Sequence, residues 1–418
     1  MEKHVRTRRP AIALLALALM AAGCGSSTQS AGSENATISY AIWDKNDQAS
    51  AEKIIAAFQQ ANPKVTVKLE ITPWAQYWTK LQTAASGGTA PDVFWMNSLN
   101  VRMYAKGGVI APLDESKADG LPTAVVDGYR YDGKLYGLPH NVNVPALWYD
   151  KKVFDSAGVK YPTADWTWAD VQSAAKKLTD PAKGQYGIMA PMWDQAAFYN
   201  TMLQAGGRVL SPDGKKSGFD EPGSIQGLEF WTNLIKEKSA PAAEVYNDTD
   251  PIQLFQSGKY GMQYGGSWLA STYWNNPEIR ERVDVVPLPK GPQGRGVVVI
   301  GTANAVSAKS EHPEASKAFA EFVVSQQAQQ ILSDSGGGAV SGREGTQESW
   351  FKAFPTFHLK EVFDVAASDG VPYPVSLNTA QWQDAQQKLL AEAWAGRRPT
   401  ADVAKEIAAR MNEILAKE

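Results

Sequence analysis

Strand and helix patterns alternate near the start of this 418-residue chain, and that alternation restricts the fold more than any other feature. The segment 65–71 alternates apolar and polar residues, which is typical of a strand with one buried face. The segment 49–61 instead spaces its apolar residues as one face of a helix does. Strands over 37–43 and 92–96 and a helix over 76–86 complete this region. The order βαβαβ predicts a parallel sheet covered by helices, and hence an α/β fold.

A second α/β region follows and opens with a strand over 146–149. Thr167 and Asp170 form a capping-box pattern at the start of a helix. Asp250 and Pro251 predict the N-cap and the first residue of another helix. The remaining expectations are strands over 260–264, 283–286 and 297–307, an amphipathic helix around 225–235, and a last helix capped at Thr400. A chain of this length exceeds what one hydrophobic core usually serves, so two lobes are expected.

The N-terminal segment has the pattern of an export signal. Four basic residues precede an apolar run over 11–22, which is too short to span a bilayer. The run leads into Ala21-Ala22-Gly23-Cys24, and Cys24 is the only cysteine of the chain. This ending resembles the lipobox of bacterial lipoproteins, in which the cysteine is lipidated and becomes the first residue. Ala21 departs from the leucine that the lipobox prefers, and a plain export signal with an unrelated cysteine is the alternative.

The lipobox resemblance implies a signal peptide over 1–23 and a lipidated Cys24. The segment 24–36 is otherwise small and polar, which suits a flexible tether. Because one acyl chain binds a membrane only marginally, the implied anchor is a diacylglyceryl group. We therefore expect an exported protein, held on the outer face of the cytoplasmic membrane by this anchor only. A single cysteine allows no internal disulfide, so the core must hold the fold unaided.

Charge and motifs exclude several classes of function. The chain has 41 basic and 44 acidic side chains, and residues 1–23 contain four and one of these, which leaves 37 and 43. No basic stripe accompanies this net charge of −6, so nucleic acid is not an expected partner. The four histidines are scattered and no HExxH or cysteine pair occurs, so no metal and no cofactor are expected. The sequence also has no GxSxG, P-loop or GxGxxG motif.

The aromatic content favours a ligand with a flat apolar face and hydroxyl edges. The chain has 14 tryptophans and 15 tyrosines. A pyranose ring stacks its C–H face on such a side chain and binds rigid polar groups around its rim. Tryptophan stands close to aspartate or asparagine, in several cases at a predicted strand end, in four places: Trp43-Asp44, Trp95 with Asn97, Trp193-Asp194 and Trp382 with Asp384. Core packing is the alternative for each tryptophan, and helix capping is the alternative for Asp44.

Several short stretches, spread over nearly the whole mature chain, carry a resemblance to a known family. They are APDVFWMN at 90–97, YAKGG at 104–108, GLPHNVN at 137–143, LWYDK at 147–151, WTWAD at 166–170, FQSGKYGM at 255–262, GGSW at 265–268, PLPKG at 287–291 and the segment 372–382. In this order and spacing, they resemble the extracellular solute-binding proteins (family 1) of bacterial ABC importers, the group that contains maltose-binding protein.

The family resemblance implies a type II periplasmic-binding-protein-like fold, in which each of two lobes is a sheet flanked by helices. Lobe 1 is expected to comprise 37–142 and about 296–340, and lobe 2 to comprise 143–295 and about 341–418. The ligand is expected in the cleft between the lobes. The expected crossovers between the lobes are 139–145, 287–302 and a stretch near 336–342. A hinge at such crossovers would let the lobes close on a ligand.

The tryptophan pairs and the resemblance together predict the ligand-binding residues. Trp268 and Trp382 match cleft tryptophans of the maltose-binding group. Asn141 and Asn143 follow Pro139 at an expected crossover, where turn formation is the alternative. The predicted set is Trp43, Asp44, Asn46, Trp74, Trp95, Asn97, Asn141, Asn143, Trp193, Asp194, Trp268, Tyr373 and Trp382.

The expected function is capture of an extracellular carbohydrate, with an oligosaccharide favoured, and its delivery to the transmembrane subunits of an ABC permease. The expected protein is a monomer and carries out no chemistry. Three alternatives remain open from the sequence. They are a lipid-anchored glycoside hydrolase, which would use two of the many carboxylates, a binding protein for a non-sugar solute, and a sensor subunit.

Overall fold

The computed structural model describes residues 35–418, in which strands and helices alternate. The described strands are β1 (Ala36–Ile42), β2 (Val65–Ile71), β3 (Val93–Asn97), β4 (Arg130–Tyr131), β5 (Lys134–Leu135), β6 (Leu138–Pro139), β7 (Asn141–Val142), β8 (Pro145–Asp150), β9 (Tyr186–Ile188), β10 (Tyr260–Gly266), β11 (Val283–Pro287), β12 (Val297–Val299), β13 (Thr302–Val306), β14 (Val340–Ser341) and β15 (Gly370–Pro372). The predicted signal peptide and Cys24 lie outside the described residues.

The helices flank these strands. Within the described range they are α1 (Gln48–Ala61), α2 (Trp74–Gly87), α3 (Ser98–Lys106), α4 (Thr123–Val126), α5 (Lys151–Ser156), α6 (Trp168–Leu178), α7 (Tyr199–Gln204), α8 (Pro222–Lys236), α9 (Pro251–Gln256), α10 (Leu269–Trp274), α11 (Pro313–Val323), α12 (Gln326–Asp334), α13 (Glu348–Ala353), α14 (Leu359–Asp369), α15 (Thr379–Trp394) and α16 (Thr400–Leu415). In the part of the chain that the structure describes, no helix has the length and apolar character needed to cross a membrane.

The first sheet has five strands in the order β2-β1-β3-β13-β6. β1 pairs in parallel with β2 and with β3, so the predicted βαβαβ arrangement is confirmed. β13 returns from late in the chain and pairs antiparallel with β3 and with β6. All five residues of β3 are buried, because strands flank it on both sides and helices cover the sheet. The carboxyl ends of β1 and β3 therefore open on one edge of this sheet.

The second sheet has four strands in the order β11-β8-β10-β9. β8 lies between β10 and β11 and is antiparallel to both. Every residue of β8 is buried, and its side chains alternate between two cores. Leu147 and Tyr149 enter the core that contains α15 and α16, whereas Ala146 and Trp148 enter the core that continues into the first sheet. The second sheet is thus covered on both faces.

Three predicted helix starts can be compared with the structure. Thr167 and Asp170 form the capping box at the start of α6, as predicted. Asp250 accepts the backbone N–H of Ile252 and caps α9, as predicted. The cap predicted at Thr400 is wrong. Thr400 is the first residue of α16, and its hydroxyl lies 3.0 Å from that of Thr232 on α8, so it serves helix packing rather than capping.

The chain crosses between the two sheets at neighbouring points. One crossing joins β6 to β8 and another joins β11 to β13. The single strand predicted over 297–307 is wrong, because the chain leaves β12, which pairs with β15, before it enters β13. The break falls at Gly301, where a Cβ atom would overlap the backbone carbonyl oxygen of Asn141. Only glycine allows the two crossing segments to approach this closely.

Candidate functional site

A cavity of about 670 Å³ lies between the edges of the two sheets. It is lined by Trp43, Asp44, Asp47, Trp74, Trp95, Asn97, Leu99, Asn141, Asn143, Trp193, Asp194, Gln195, Ala196, Asp250, Pro251, Ile252, Trp268, Ile300, Gly301, Thr302, Gly338, Ala339 and Tyr373. A depression of about 730 Å³ on the outer surface of α2 is bounded only by residues 75–89 and has no aromatic lining. The cavity between the sheets is therefore the candidate site.

Trp43 is the centre of an aromatic group on the first wall of the cavity, which we call the tryptophan cluster. The cluster comprises Trp43, Trp74, Tyr77, Trp78 and Trp95. The ring centroid of Trp43 lies 4.9 Å from Trp95, 5.2 Å from Trp74 and 5.2 Å from Tyr77, each edge to face. Trp43 directly follows β1, Trp95 belongs to β3, and Trp74 begins α2, so the parallel strand order brings these residues together.

Hydrogen bonds fix the inner part of the tryptophan cluster and leave its outer part open. The Trp95 indole N–H donates to the Tyr40 hydroxyl at 2.7 Å, and the Tyr77 hydroxyl donates to the Trp95 carbonyl at 2.8 Å. Trp95 itself is almost fully buried. Trp74 is 53% exposed and stands at the cavity rim. The cluster therefore runs from a rigid floor to an accessible aromatic surface.

The opposite wall carries Trp193, Asp194, Trp268 and Tyr373. The carboxylate of Asp194 accepts the Tyr373 hydroxyl at 2.7 Å, and its Oδ2 accepts the Gln383 amide at 2.8 Å. Burial raises the pKa of Asp194, and the bond from Tyr373 partly offsets that effect. Asp194 begins the π-helical segment Asp194–Phe198 that leads into α7, and such wide turns are frequent at functional sites. This wall thus holds a fixed polar group beside two indole rings.

The ring of Trp268 depends on a glycine. A Cβ atom on Gly266 would overlap that ring, so no other residue type fits at position 266. Trp268 remains half-buried and faces the cavity just before α10. Gly266 therefore lets the indole of Trp268 lie against the backbone.

Asp44 and Asp47 form an acidic pair around the short turn Lys45–Asp47. Asp44 caps this turn by accepting the Asn46 N–H at 2.8 Å. Asp47 is 3% exposed, and its carboxylate accepts the Ala339 N–H at 3.1 Å. Burial, and secondly the charge of Asp44, raise the pKa of Asp47 to about 7. Burial also raises the pKa of Asp44.

The predicted asparagines hold the crossing segments and the helix that borders the cavity. The Asn141 side-chain oxygen accepts the Thr302 N–H at 2.6 Å, which ties two crossings together. Asn143 bridges to Ile300 through the backbone. The Asn97 side chain caps α3 by accepting the Asn100 N–H at 3.1 Å. These three asparagines, Asn97, Asn141 and Asn143, line the cavity and also hydrogen-bond or pair with the backbone.

The structure brings eleven of the thirteen predicted residues to the cavity. Asn46 does not line it; this residue is exposed beside the Asp44 turn. Trp382 does not line the cavity either, so its predicted place in the site is wrong. It is fully buried within α15, and its indole N–H donates to the Ser376 hydroxyl at 2.9 Å. Its predicted companion Asp384 points to the surface and pairs with Lys388.

Sequence reasoning missed several lining residues. Asp250 was assigned only to helix capping, yet it also lines the cavity. Asp47 lies three residues after Asp44, but its burial comes from Gly338 and Ala339, nearly three hundred residues away. Thr302, Gly338 and Ala339 contribute backbone, which side-chain patterns do not reveal.

Comparison with known proteins identifies the family. The family profile described as bacterial extracellular solute-binding protein matches residues 43–330, which is more than half of the chain. The chain therefore belongs to this family. The diacetylchitobiose binding protein DasA of Streptomyces coelicolor is 25% identical over 428 residues, covering 98% of each chain. A putative binding protein of Brucella abortus is 27% identical over 254 residues, which span 58% of this chain and 60% of that protein.

A solved structure supports the same architecture. An ABC substrate-binding protein from Listeria monocytogenes, in complex with cycloalternan, superimposes with a TM-score of 0.84 at 27% identity. The match covers 92% of this chain and all of that one. The predicted two-lobe, periplasmic-binding-protein-like α/β fold is confirmed.

The raised pKa of Asp47 predicts a pH-dependent stability. In the unfolded chain this carboxyl has its ordinary pKa of 3.8, whereas in the folded protein its pKa is about 7. Between these values the folded state binds more protons, so the contribution of Asp47 to stability declines as the pH rises from about 4 to about 7. We expect Asp47→Asn, which can still accept the Ala339 N–H, to flatten this decline in the thermal midpoint between pH 5 and pH 8.

The readout is the difference between variant and wild type, because other groups titrate in the same range. Burial lowers the pKa of His140 to about 3, which acts in the opposite direction. Asp384→Asn, at the exposed partner of Lys388, is the matched control and should retain the wild-type profile. Parallel melting profiles for Asp47→Asn and wild type would contradict the assignment.

Proposed function

We propose that this protein binds an extracellular carbohydrate in the cavity between its lobes and delivers it to an ABC permease. The observation that carries the proposal is the pairing of indole faces with fixed carboxylates on both walls. Trp43 stands beside Asp44 on one wall, and Trp193 beside Asp194 on the other. Such walls offer a sugar ring its two requirements, an apolar platform and rigid hydrogen-bond acceptors.

The relatives support a carbohydrate over other solutes. The Streptomyces coelicolor relative is named for binding diacetylchitobiose, and the Listeria monocytogenes structure contains cycloalternan. Both names describe saccharides of more than one ring. The cavity volume lies within the range of small-molecule sites, and Trp74 extends the aromatic surface past its rim. These features favour an oligosaccharide as the ligand.

We infer that the protein captures its ligand without changing it. A glycosidase would need two carboxyl groups flanking one glycosidic bond at a defined separation. The best-placed pair, Asp44 and Asp47, stands on a single turn of one wall. Asp194 on the other wall is held by Tyr373 and Gln383. Incubation with oligosaccharides should therefore release no new reducing ends.

The lobe assignment and the hinge are proposed on the basis of the sheets. We assign 37–142 with about 296–340 to lobe 1, since these ranges contain β1, β2, β3, β6 and β13 of the first sheet. We assign 143–295 with about 341–418 to lobe 2, since they contain all four strands of the second sheet. The crossings between the sheets would absorb the change of angle on closure. The proposed active species is a monomer.

The first test of this proposal is the aromatic platform. Trp74→Ala and Trp268→Ala should each weaken oligosaccharide binding roughly 5- to 150-fold, on the 1–3 kcal/mol scale of stacking on aromatic side chains. Isothermal titration would follow a thermal-shift screen with maltotriose, cellotriose and their longer homologues. A ligand at 100 times its Kd should stabilise the protein by about 2.7 kcal/mol.

Tyr161→Ala is the control, because Tyr161 is 38% exposed and lies outside the cavity. Its affinity should match that of the wild type. Trp382→Ala is a second control, which tests folding rather than binding. Because this ring is buried in the core, its loss should cost about 3–5 kcal/mol of stability. If Trp74→Ala and Trp268→Ala both bind oligosaccharides as tightly as the wild type, the cavity is not the binding site.

We further propose that the exported protein is anchored through a lipid on Cys24. The support is the sequence Ala21 to Cys24 after an export signal, together with a family described as extracellular. Cys24→Ala should move the protein from washed membranes to the soluble exported fraction, because the anchor is its only proposed hold on the bilayer. Cys24→Ala protein that stays on the membranes like the wild type would contradict the anchor.

A further inference from the structure

The cavity is acidic. Its lining includes four carboxyl groups, those of Asp44, Asp47, Asp194 and Asp250, and among its lining residues within 35–418 there is no lysine, arginine or histidine. His140, whose ring centroid lies 5.0 Å from that of Trp95, contributes no positive charge, because burial holds its pKa at about 3. A ligand with a carboxylate or phosphate group would therefore meet carboxyl groups and no cationic side chain among these lining residues.

Two of the four carboxyl groups already have a structural role within the protein. Asp194 accepts from Tyr373 and Gln383, and Asp250 caps α9 on an exposed turn. Within residues 35–418, the donors to Asp44 and Asp47 are backbone N–H groups and the side chain of Asn46, none of which carries a charge. None of the ion pairs formed within residues 35–418 includes any of the four. Buried charges in proteins are normally paired, yet the Asp44–Asp47 pair, in which Asp47 is buried, has no counter-charge among these residues.

A second feature marks the same place. The hydroxyl of Ser271, which is 1% exposed, has no hydrogen-bond partner in the described part of the chain. A Cβ atom built on Gly338 would lie 3.5 Å from this hydroxyl and 3.2 Å from Asp44 Oδ2. The glycine thus leaves both groups facing one small space. We call Asp44, Asp47, Ser271 and Gly338 the acidic corner.

A cationic group of a ligand would supply the counter-charge that the described residues do not. No three histidine, cysteine, aspartate or glutamate groups within residues 35–418 are arranged to hold a metal ion, so a metal is a poor fit. An ammonium group fits better: it donates three hydrogen bonds, and the acidic corner offers two carboxylates and a hydroxyl as acceptors. Trp43 lines the same cavity, and the face of an indole ring favours a cation.

We propose that the cavity selects a saccharide that carries a basic amino group, with its ammonium bound at the acidic corner, and rejects acidic sugars. This inference rests on the proposed carbohydrate function and specifies the ligand class within it. The indole platforms accept the ring, as they would for any sugar. The charge of the acidic corner then separates an amino sugar from the same sugar with a hydroxyl or an N-acetyl group in place of the amine.

The test uses saccharides that differ in one substituent. The glucosamine trimer, its N-acetylated form and cellotriose share one backbone and carry an amine, an amide or a hydroxyl at C2. Glucosamine with glucose and galactosamine with galactose form further pairs, and glucuronic acid is the acidic probe. At pH 7 and low salt, at least one amine should bind about tenfold or more tightly than its neutral counterpart, a factor equivalent to 1.4 kcal/mol. Glucuronic acid should bind no better than glucose.

Variants of the acidic corner test whether it causes the preference for amino sugars. Asp44→Asn and Asp47→Asn remove charge with little change of shape, so each should bring the amine-to-neutral affinity ratio close to one. Asp384→Asn, an equal change of charge on the outer surface, should keep the wild-type ratio. Raising the salt concentration should lower that ratio in the wild type. Circular dichroism and melting curves establish that each variant is folded.

The outcomes separate this inference from the proposed function. Neutral saccharides that bind as tightly as every amine overturn the inference and leave carbohydrate binding in place. An amine preference that persists in both asparagine variants overturns the acidic corner as its origin. Folded protein that binds neither the neutral saccharides nor the amines counts against the carbohydrate function itself, and with it the inference.

Discussion

The chain crosses between its two sheets at neighbouring points, and hydrogen bonds between the crossing segments connect the two walls of the cavity. Asn141 accepts the Thr302 N–H at 2.6 Å, and β7 pairs with β14 beside it. These contacts continue to the first wall of the cavity, where the Ala339 N–H donates to the carboxylate of Asp47.

The two walls meet a ligand with different chemistry. The tryptophan cluster provides a continuous apolar surface whose floor is fixed by Tyr40 and Tyr77. The opposite wall provides an aspartate, Asp194, already held by Tyr373 and Gln383. Groups that are fixed before the ligand arrives lose little conformational entropy on binding. Asp47 differs, since burial and the charge of Asp44 raise its pKa to about 7.

The sequence allowed much of the fold and the first wall to be predicted, because both depend on local patterns. Alternation over 65–71 and helical spacing over 49–61 identified β2 and α1. Parallel strands then brought Trp43 and Trp95 to one sheet edge without any knowledge of distant contacts. Trp193 and Asp194 were also predicted from a local pattern, since an aromatic residue stands next to an acidic one.

The failures share a different cause, which is dependence on distant parts of the chain. Trp382 resembled a platform tryptophan, but its burial depends on the packing of α15 against its neighbours. Thr400 had the residue type of a cap, yet its hydroxyl meets Thr232 on another helix. Asp47 is buried by backbone from residues 338–339. The composition and spacing of the sequence near a residue do not reveal such contacts.

We propose that the two lobes close on a saccharide held between their aromatic walls. A ligand shifts the lobes only if it binds the closed state more tightly, which contacts from both walls would provide. Small-angle X-ray scattering with and without a saturating saccharide measures this directly. The radius of gyration should decrease on binding in the wild type. Superimposable scattering profiles, at saturation established by titration, would contradict closure.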